Sequence, residues 1–468
     1  MAFSSLTFLC LFLTVVTVLY FLFPGRKARN WILLAASLIF YSWGEPKYIV
    51  LVVLVSLVAY FGGISMENSV KQGKTAAKHA AFWVSVSLII VNLLVFKYLN
   101  FFCDNINALF RADIRIGKIA LPIGISFYTF QILSYLFDLN SGKVKAQRNF
   151  LYLLLYVSFF PQLMAGPIVR YSAFETQILD RHESWEDIVC GLKRFIVGLA
   201  KKVILADGVA AVANLIYGGN AAVYGTLMYW LAALSYTFEI YFDFSGYSDM
   251  ALGLDRIFGF HFPENFNYPY LSTSITEFWR RWHISLSSWF RDYVYIPLGG
   301  NRVKKSRWVL NILVVWALTG FWHGAKWNFI FWGLYYAALL LLEKLVLKRW
   351  FQKWPAAVRW FYTFFFVMVG WVLFNLTDAA QLSTALRMMF TWNPTDWTGV
   401  IAADAGILYA LIYLPLAFLF SFPTLKKLEK RGGRVGVLVQ DAVYALLFLV
   451  SVTSVISSKY TPFIYFRF

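Results

Sequence analysis

Two of the five histidines sit where an imidazole is costly to keep. His323 occurs in "TGFWHGAKWNFIFWG" (319–333), a stretch of bulky apolar and aromatic side chains. The cationic loop before it ends at Arg307, and 16 helical residues at about 1.5 Å each carry His323 about 24 Å beyond that boundary. An ionisable side chain that deep in a bilayer is expensive, so it is expected to face an interior cavity rather than lipid. There a neutral imidazole accepts the proton of a hydroxyl as the oxygen attacks an activated carbonyl, chemistry that suits acyl transfer. A structural histidine hydrogen-bonded between helices is the alternative. His283 lies in "EFWRRWHISLSSWFRDYVYIPLGGNR" (277–302), where Arg280, Arg281 and Arg291 alternate with Trp279, Trp282, Trp289 and Phe290. An interface helix with an aromatic belt and snorkelling arginines explains that pattern without chemistry; a site histidine is the other reading. His79, His182 and His261 stand in polar or turn-like stretches and read as surface residues. No GxSxG, HExxH, GxGxxG or GxxxxGK[ST] occurs, so hydrolase elbows, zincins, dinucleotide folds and P-loops lose their support. The three cysteines share no CxxC spacing and give no disulfide, zinc or redox signal, and no metal is expected.

The elements that must carry these histidines are membrane helices. Of 468 residues 60% are hydrophobic, 20% aromatic and only 14% charged, a balance a solvated domain could hardly reach. Apolar runs recur at 5–24, 31–43, 48–65, 80–98, 117–137, 150–168, 224–242, 308–322, 327–346, 358–376, 405–422 and 441–457. Several are too short or too broken for simple spans. "IALPIGISFYTFQ" (119–131) and "FFPQLMAGPIVRY" (159–171) place helix breakers at membrane depth, where protein or a water-filled cavity must satisfy the freed backbone. The expected fold is an all-α polytopic membrane protein with re-entrant segments, in one domain over 1–468.

A net charge of +18 lies in short clusters between apolar spans rather than in one basic domain, which argues against nucleic acid. "GRKARN" (25–30) follows the first span while "MAFSSLTFLC" carries no cation, so residue 1 is expected outside, 26–29 in the cytoplasm, and no cleaved signal peptide. Residues 71–79, 170–202 and 280–307 then also read as cytoplasmic. Within 170–202, Ile188, Leu192, Ile196 and Leu199 fall at helical spacing, as in an amphipathic helix on the membrane face. Lys193, Arg194, Lys201 and Lys202 of that segment suit anionic lipid or a phosphorylated ligand equally.

"FDFSGYSDMALGLDRIFGFHFPENFNYPYLSTSITEFWRRWHISLSSWFRDYVYIPLGGNR" (242–302), followed by "LTGFWHGAKWNFIFWG" (318–333), strongly resembles the membrane-bound O-acyltransferase family, and within it the bacterial alginate O-acetylase branch. "LPIGISFYTF" (121–130), "FPQLMAGPIVR" (160–170) and "FSSLTFLCLFL" fit the same branch, so the likeness covers nearly the whole chain. It implies about eleven or more transmembrane and re-entrant helices around a tunnel, with the core at 118–345. His323, with Trp327 completing "HGAKW", takes the place of the family's catalytic histidine, and His283 that of its second polar site residue. The resemblance further implies acetyl-CoA as a cytoplasmic donor substrate, no permanently bound cofactor, and a hydroxyl acceptor on a cell-surface or secreted polysaccharide such as alginate or peptidoglycan. Asp243 and Asp249 either orient a site group or cap helices at a Ser-Gly break, the favoured expectation. D-alanyl transfer to teichoic acid on the same fold, and a transporter or flippase, are the rival functions. No residue is assigned to cofactor binding.

The segment "YTPFIYFRF" (460–468) is aromatic with a single cation, Arg467. Its Phe463-x-Tyr465-x-x-Phe468 spacing resembles the FxYxxF motif of the small membrane peptide of D-alanylation systems. That resemblance implies Tyr465 as an acyl carrier, placed outside a bacterial plasma membrane and handing acetyl to an extracellular SGNH-like partner transferase. An interfacial aromatic anchor is the other reading.

Overall fold

The computed structural model of the chain describes residues 1–219, 223–351, 353–403, 407–423, 434–457 and 462–464. Among them every regular element is a helix. Five helices are long and apolar enough to cross a membrane: Ile49–Lys71, Thr75–Phe110, Trp327–Val346, Ala356–Asn375 and Gly436–Ser457. The chain is a multi-pass membrane protein. It divides into two compact units, residues 1–195 with 250–263 and residues 196–249 with 264–468.

In the first unit, α1 (Ile49–Lys71) and α2 (Thr75–Phe110) form an antiparallel pair. Gly62 lets them meet, since a Cβ there would collide with Ser85. His79 begins α2 rather than lying in a loop, and it is exposed as expected. Both expected breaks occur. Residues 111–124 are irregular before Ile125–Asn140, and the helix Phe150–Ser158 stops ahead of the one-turn Phe160–Leu163. The freed amide of Phe160 donates to Ser37 Oγ at 3.0 Å, so protein satisfies the backbone there. On the polar side, Glu183 takes Arg26 at 2.5 Å, Arg29 at 2.6 Å and the Tyr20 hydroxyl. The amphipathic segment is α3 (Trp185–Ala200), though its buried stripe runs through Gly191, Phe195 and Leu199 while Leu192 is exposed. Gly191 meets the Gly253 carbonyl oxygen, and that contact sets the stripe.

The second unit holds α4 (Asp207–Gly218), α5 (Thr226–Ile257), α6 (Ile275–Arg281), α7 (Ile284–Phe290), α8 (Lys305–His323), α9 (Trp327–Leu341, extended by a π turn to Val346), α10 (Ala356–Asn375) and α11 (Arg434–Ser457). The unit boundary falls within α3 and α5. Trp279, Trp282, Trp316, Trp332, Tyr336 and Trp371 pack ring on ring, with Trp279–Tyr336 centroids 4.8 Å apart and Trp282–Trp371 4.7 Å. Such rings pack rigidly and fix whatever stands among them. α5 runs unbroken through Ser245 and Gly246, which corrects the expectation that Asp243 and Asp249 cap a Ser-Gly break. Gly246 serves close approach instead, for a Cβ there would stand 2.7 Å from the Gly198 carbonyl oxygen.

Candidate active site

His283 occupies the two-residue joint between α6 and α7 and adopts a left-handed backbone, φ 43° and ψ 56°. A non-glycine residue there needs its surroundings to over-determine it. The start of α6 is fastened on three sides. Ser274 accepts the Glu277 amide at 3.0 Å, while the Glu343 carboxylate accepts the amides of Ile275 at 2.6 Å and Thr276 at 3.2 Å. Three of the four amides a helix start leaves open are thereby satisfied. The start of α7 is tied to Asn265, whose backbone carbonyl accepts the Ile284 amide at 2.9 Å.

The side chain of Asn265, fully buried, organises the imidazole. Its Oδ1 accepts the Ser285 amide at 3.2 Å and the Ser285 hydroxyl at 2.9 Å, and it lies 3.1 Å from His283 Nδ1. A backbone amide can only donate, so the atom facing Ser285 N is oxygen, and Nδ2 turns to Ser248 Oγ at 3.1 Å. Oxygen cannot donate to Nδ1, so Nδ1 carries the proton and Nε2 keeps its lone pair in the neutral ring. Phe244 meets the imidazole edge to face at 4.7 Å, and only 1% of His283 is exposed. Burial pushes its pKa down to about 3, so the ring is a neutral hydrogen-bond acceptor across the physiological range.

His323 ends α8, and the helix runs without interruption from Lys305, so the expected rise of the chain toward it holds. Gly320 and Gly333 bring α8 and α9 together: a Cβ on either would collide with a carbonyl oxygen of the other helix, Phe329 or Trp316. The imidazole stands edge-on to Trp322 at 5.0 Å, Trp332 at 5.1 Å and Phe374 at 5.2 Å, and is 7% exposed. Trp322 also lies 6.0 Å from the His283 ring, so one indole touches both histidines. Forty residues apart in sequence, they belong to one site.

The other candidates fall elsewhere. His182 and His261 are exposed, and His261 pairs with Asp187 at 2.9 Å. Lys202 is buried between Asp243 at 2.7 Å and Asp207 at 2.8 Å, and Lys201 pairs with Asp249 at 2.6 Å. These two cations, which the sequence left open to anionic lipid or a phosphorylated ligand, are engaged by carboxylates. Tyr465 lies outside the described residues. Its neighbours do not: Phe463 and Ile464 are buried, and the Ile464 amide donates to Asp243 Oδ2 at 2.8 Å. Reading the sequence missed Asn265, Ser285 and Ser248. In "GFHFPENFNYPY" an asparagine after Pro-Glu looks like any turn residue. The described residues contain no group of His, Cys, Asp and Glu that could hold a metal ion.

Helices apolar enough to cross a bilayer, with two buried imidazoles packed on one indole, define a multi-pass membrane protein with a polar pair in its interior. Residues 133–377 match the membrane-bound O-acyltransferase family, MBOAT. The chain is 38% identical to the probable alginate O-acetylase of Pseudomonas putida over the full length of both. It is 35% identical to the peptidoglycan O-acetyltransferase of Helicobacter pylori, covering 83% of this chain and 79% of that one. A teichoic acid D-alanyltransferase of Bacillus subtilis is 31% identical over 54% of this chain and 68% of its own. The protein belongs to the membrane-bound O-acyltransferase family and is an O-acyltransferase.

Proposed function

We propose that this protein takes an acetyl group from acetyl-CoA on the cytoplasmic face and passes it across the membrane for O-acetylation of a cell-surface or secreted polysaccharide. The observation that carries the reading is the pair of buried histidines meeting on Trp322 in a chain similar over its whole length to an O-acetylase. Similarity to the D-alanyl enzyme covers only about half of the chain, which favours acetyl over D-alanyl transfer. Membership of an acyltransferase family disfavours a transporter or flippase.

Coenzyme A is large and multiply charged, whereas acetyl is small, so only the acetyl group needs to cross. In the proposed sequence the Tyr465 hydroxyl attacks the thioester carbonyl and its proton passes to His323 as general base. The C–S bond breaks, and His323 returns the proton to the coenzyme thiolate. The acetyl ester of Tyr465 is then attacked by a serine of an extracellular partner transferase of SGNH type, which restores the tyrosine hydroxyl. His283 has an accepting Nε2, which suits holding an attacking hydroxyl and does not suit donating to the thioester carbonyl. The acceptor is therefore what it positions. With both chain ends outside, the carrier faces the partner.

The test is to treat the purified protein with labelled acetyl-CoA and locate the label by mass spectrometry. The reading requires acetyl on Tyr465, absent in Tyr465→Phe and His323→Ala. Full surface acetylation by Tyr465→Phe removes the carrier step, and full activity of His323→Ala removes the site.

A further inference from the structure

In the second unit, one stretch of α5 has two faces with different occupants. Phe244 packs against the His283 ring, and Ser248 holds Asn265, which holds His283. Asp243 and Tyr247, interleaved with them on the same two turns, grip residues 463 and 464 instead. Asp243 Oδ2 accepts the Ile464 amide at 2.8 Å while Oδ1 takes the Lys202 ammonium at 2.7 Å. That ammonium lies 5.0 Å from the centre of the Phe463 ring, and Tyr247 meets the same ring edge to face at 5.0 Å. Phe463 and Ile464 are 1% and 3% exposed, and Asp243 and Lys202 are both 2% exposed.

These contacts differ from ordinary apolar packing. A buried carboxylate already bound to a lysine has one oxygen left, and a backbone amide fills it, a charge-assisted bond of the stronger kind. The lysine in turn presents its charge to an aromatic ring in a dry environment, where that attraction is largest. An interfacial anchor needs neither contact, since aromatic rings at a bilayer surface are held by lipid and water. A segment held merely by hydrophobic burial would not place its amide on a buried ion pair.

We infer that the Lys202–Asp243 ion pair, with Tyr247, is a docking seat for residues 463 and 464, and that it sets where the next residue, Tyr465, enters the chemistry of His283. The inference rests on the reading of Tyr465 as acyl carrier. The seat and the histidine mount share one stretch of one rigid helix, so α5 fixes the register between segment and imidazole. The ligand class is specific: an aromatic side chain over the lysine, followed at once by a residue with a free backbone amide.

The experiment uses the full-length protein in detergent, with hydrogen exchange of peptides covering 462–464 read beside acetyl on Tyr465 after labelled acetyl-CoA. Phe463→Ala removes the ring from Lys202 and Tyr247 while leaving α5 untouched. The seat requires exchange at Ile464 to rise at least tenfold in this variant, with α5 peptides unchanged, KM for acetyl-CoA unchanged and acetyl on Tyr465 down at least tenfold. Exchange equal to wild type overturns the seat. Faster exchange with undiminished acetyl transfer overturns its positioning role. Tyr465→Phe separates the two claims: it must leave exchange at Ile464 as in wild type, and full acetyl transfer by that variant ends the carrier reading while the seat stands.

Discussion

Replacing Asn265 by Asp changes one atom of the histidine mount. The shape is kept, an oxygen still accepts from Ser285 N, Ser285 Oγ and His283 Nδ1, and Ser248 rotates to donate where it had accepted. What changes is charge. With Nδ1 and Oδ1 3.1 Å apart, the centres of an imidazolium and a carboxylate lie about 5 Å from one another. At an effective dielectric of roughly 20, that attraction is about 3 kcal/mol, or about two pKa units. His283, held at about 3 by burial, therefore rises to about 5, and the imidazole and carboxylate titrate as a pair. The sign follows: above that value the ring is neutral and Nε2 accepts as before; below it the ring is protonated and cannot. The readout is acetyl transfer by Asn265→Asp divided by that of wild type across pH 4.5 to 7, because every other titrating group is common to both. The ratio should be flat near pH 7 and fall about fourfold by pH 4.5. A ratio flat over the whole range, in folded protein, refutes the assignment of His283 as a neutral acceptor oriented by Asn265.

Three further outcomes follow from the same geometry. His323→Gln should insert and bind acetyl-CoA normally while transfer falls by about 10² to 10⁴, the usual contribution of a positioned base; near-normal turnover assigns that role elsewhere. Gly320→Val puts methyl groups against the Phe329 carbonyl oxygen and parts α8 from α9, an overpacking cost of about 1–3 kcal/mol, so its melting temperature and transfer rate should both drop, whereas Ala317→Val, on the same helix, serves as the control substitution. For Glu183, burial alone would raise the carboxyl, but the Tyr20 hydrogen bond and the charges of Arg26 and Arg29 outweigh it and hold the pKa below its ordinary value. Its stabilisation is therefore present above the unfolded value of roughly 4.3 and lost as pH falls through the lower folded value; wild type should melt above Glu183→Gln at pH 7, and the difference should shrink as pH falls through that lowered value.

The fold class was legible because a bilayer enforces it: long apolar helices are the response of a backbone that must satisfy itself, and α1, α2, α9, α10 and α11 follow from composition alone. The breaks at 111–124 and 159–170 were legible for the same reason, since glycine and proline at depth demand protein partners, as Ser37 provides for Phe160. His323 stood out as an imidazole within a run of apolar and aromatic residues, and it is buried. What sequence could not reveal was pairing across distance. Lys201 and Lys202 look like membrane-facing cations until α5 brings Asp249 and Asp243 against them. Asp243 and Asp249 look like caps until Gly246 proves to be a contact point rather than a break. Asn265 looks like a turn residue, because its meaning lies in two serines, one 17 positions before it and one 20 after.

That last case shows why the site needs its particular scaffold. Neutral imidazole has two tautomers, and only one leaves Nε2 free to accept; the choice is made by whichever group faces Nδ1. Here that group is an amide oxygen whose own orientation is fixed by a backbone amide, and the one hydroxyl near Nδ1, that of Ser285 at 3.4 Å, is turned to the same oxygen at 2.9 Å. The backbone amide is in turn fixed by the left-handed turn at His283, which α6 and α7 hold from either side. A carboxylate at residue 265 would orient the ring as well but would charge it at modest acidity. A neutral amide orients without charging, which keeps a buried imidazole a hydrogen-bond acceptor at Nε2, because an imidazolium would have no lone pair there.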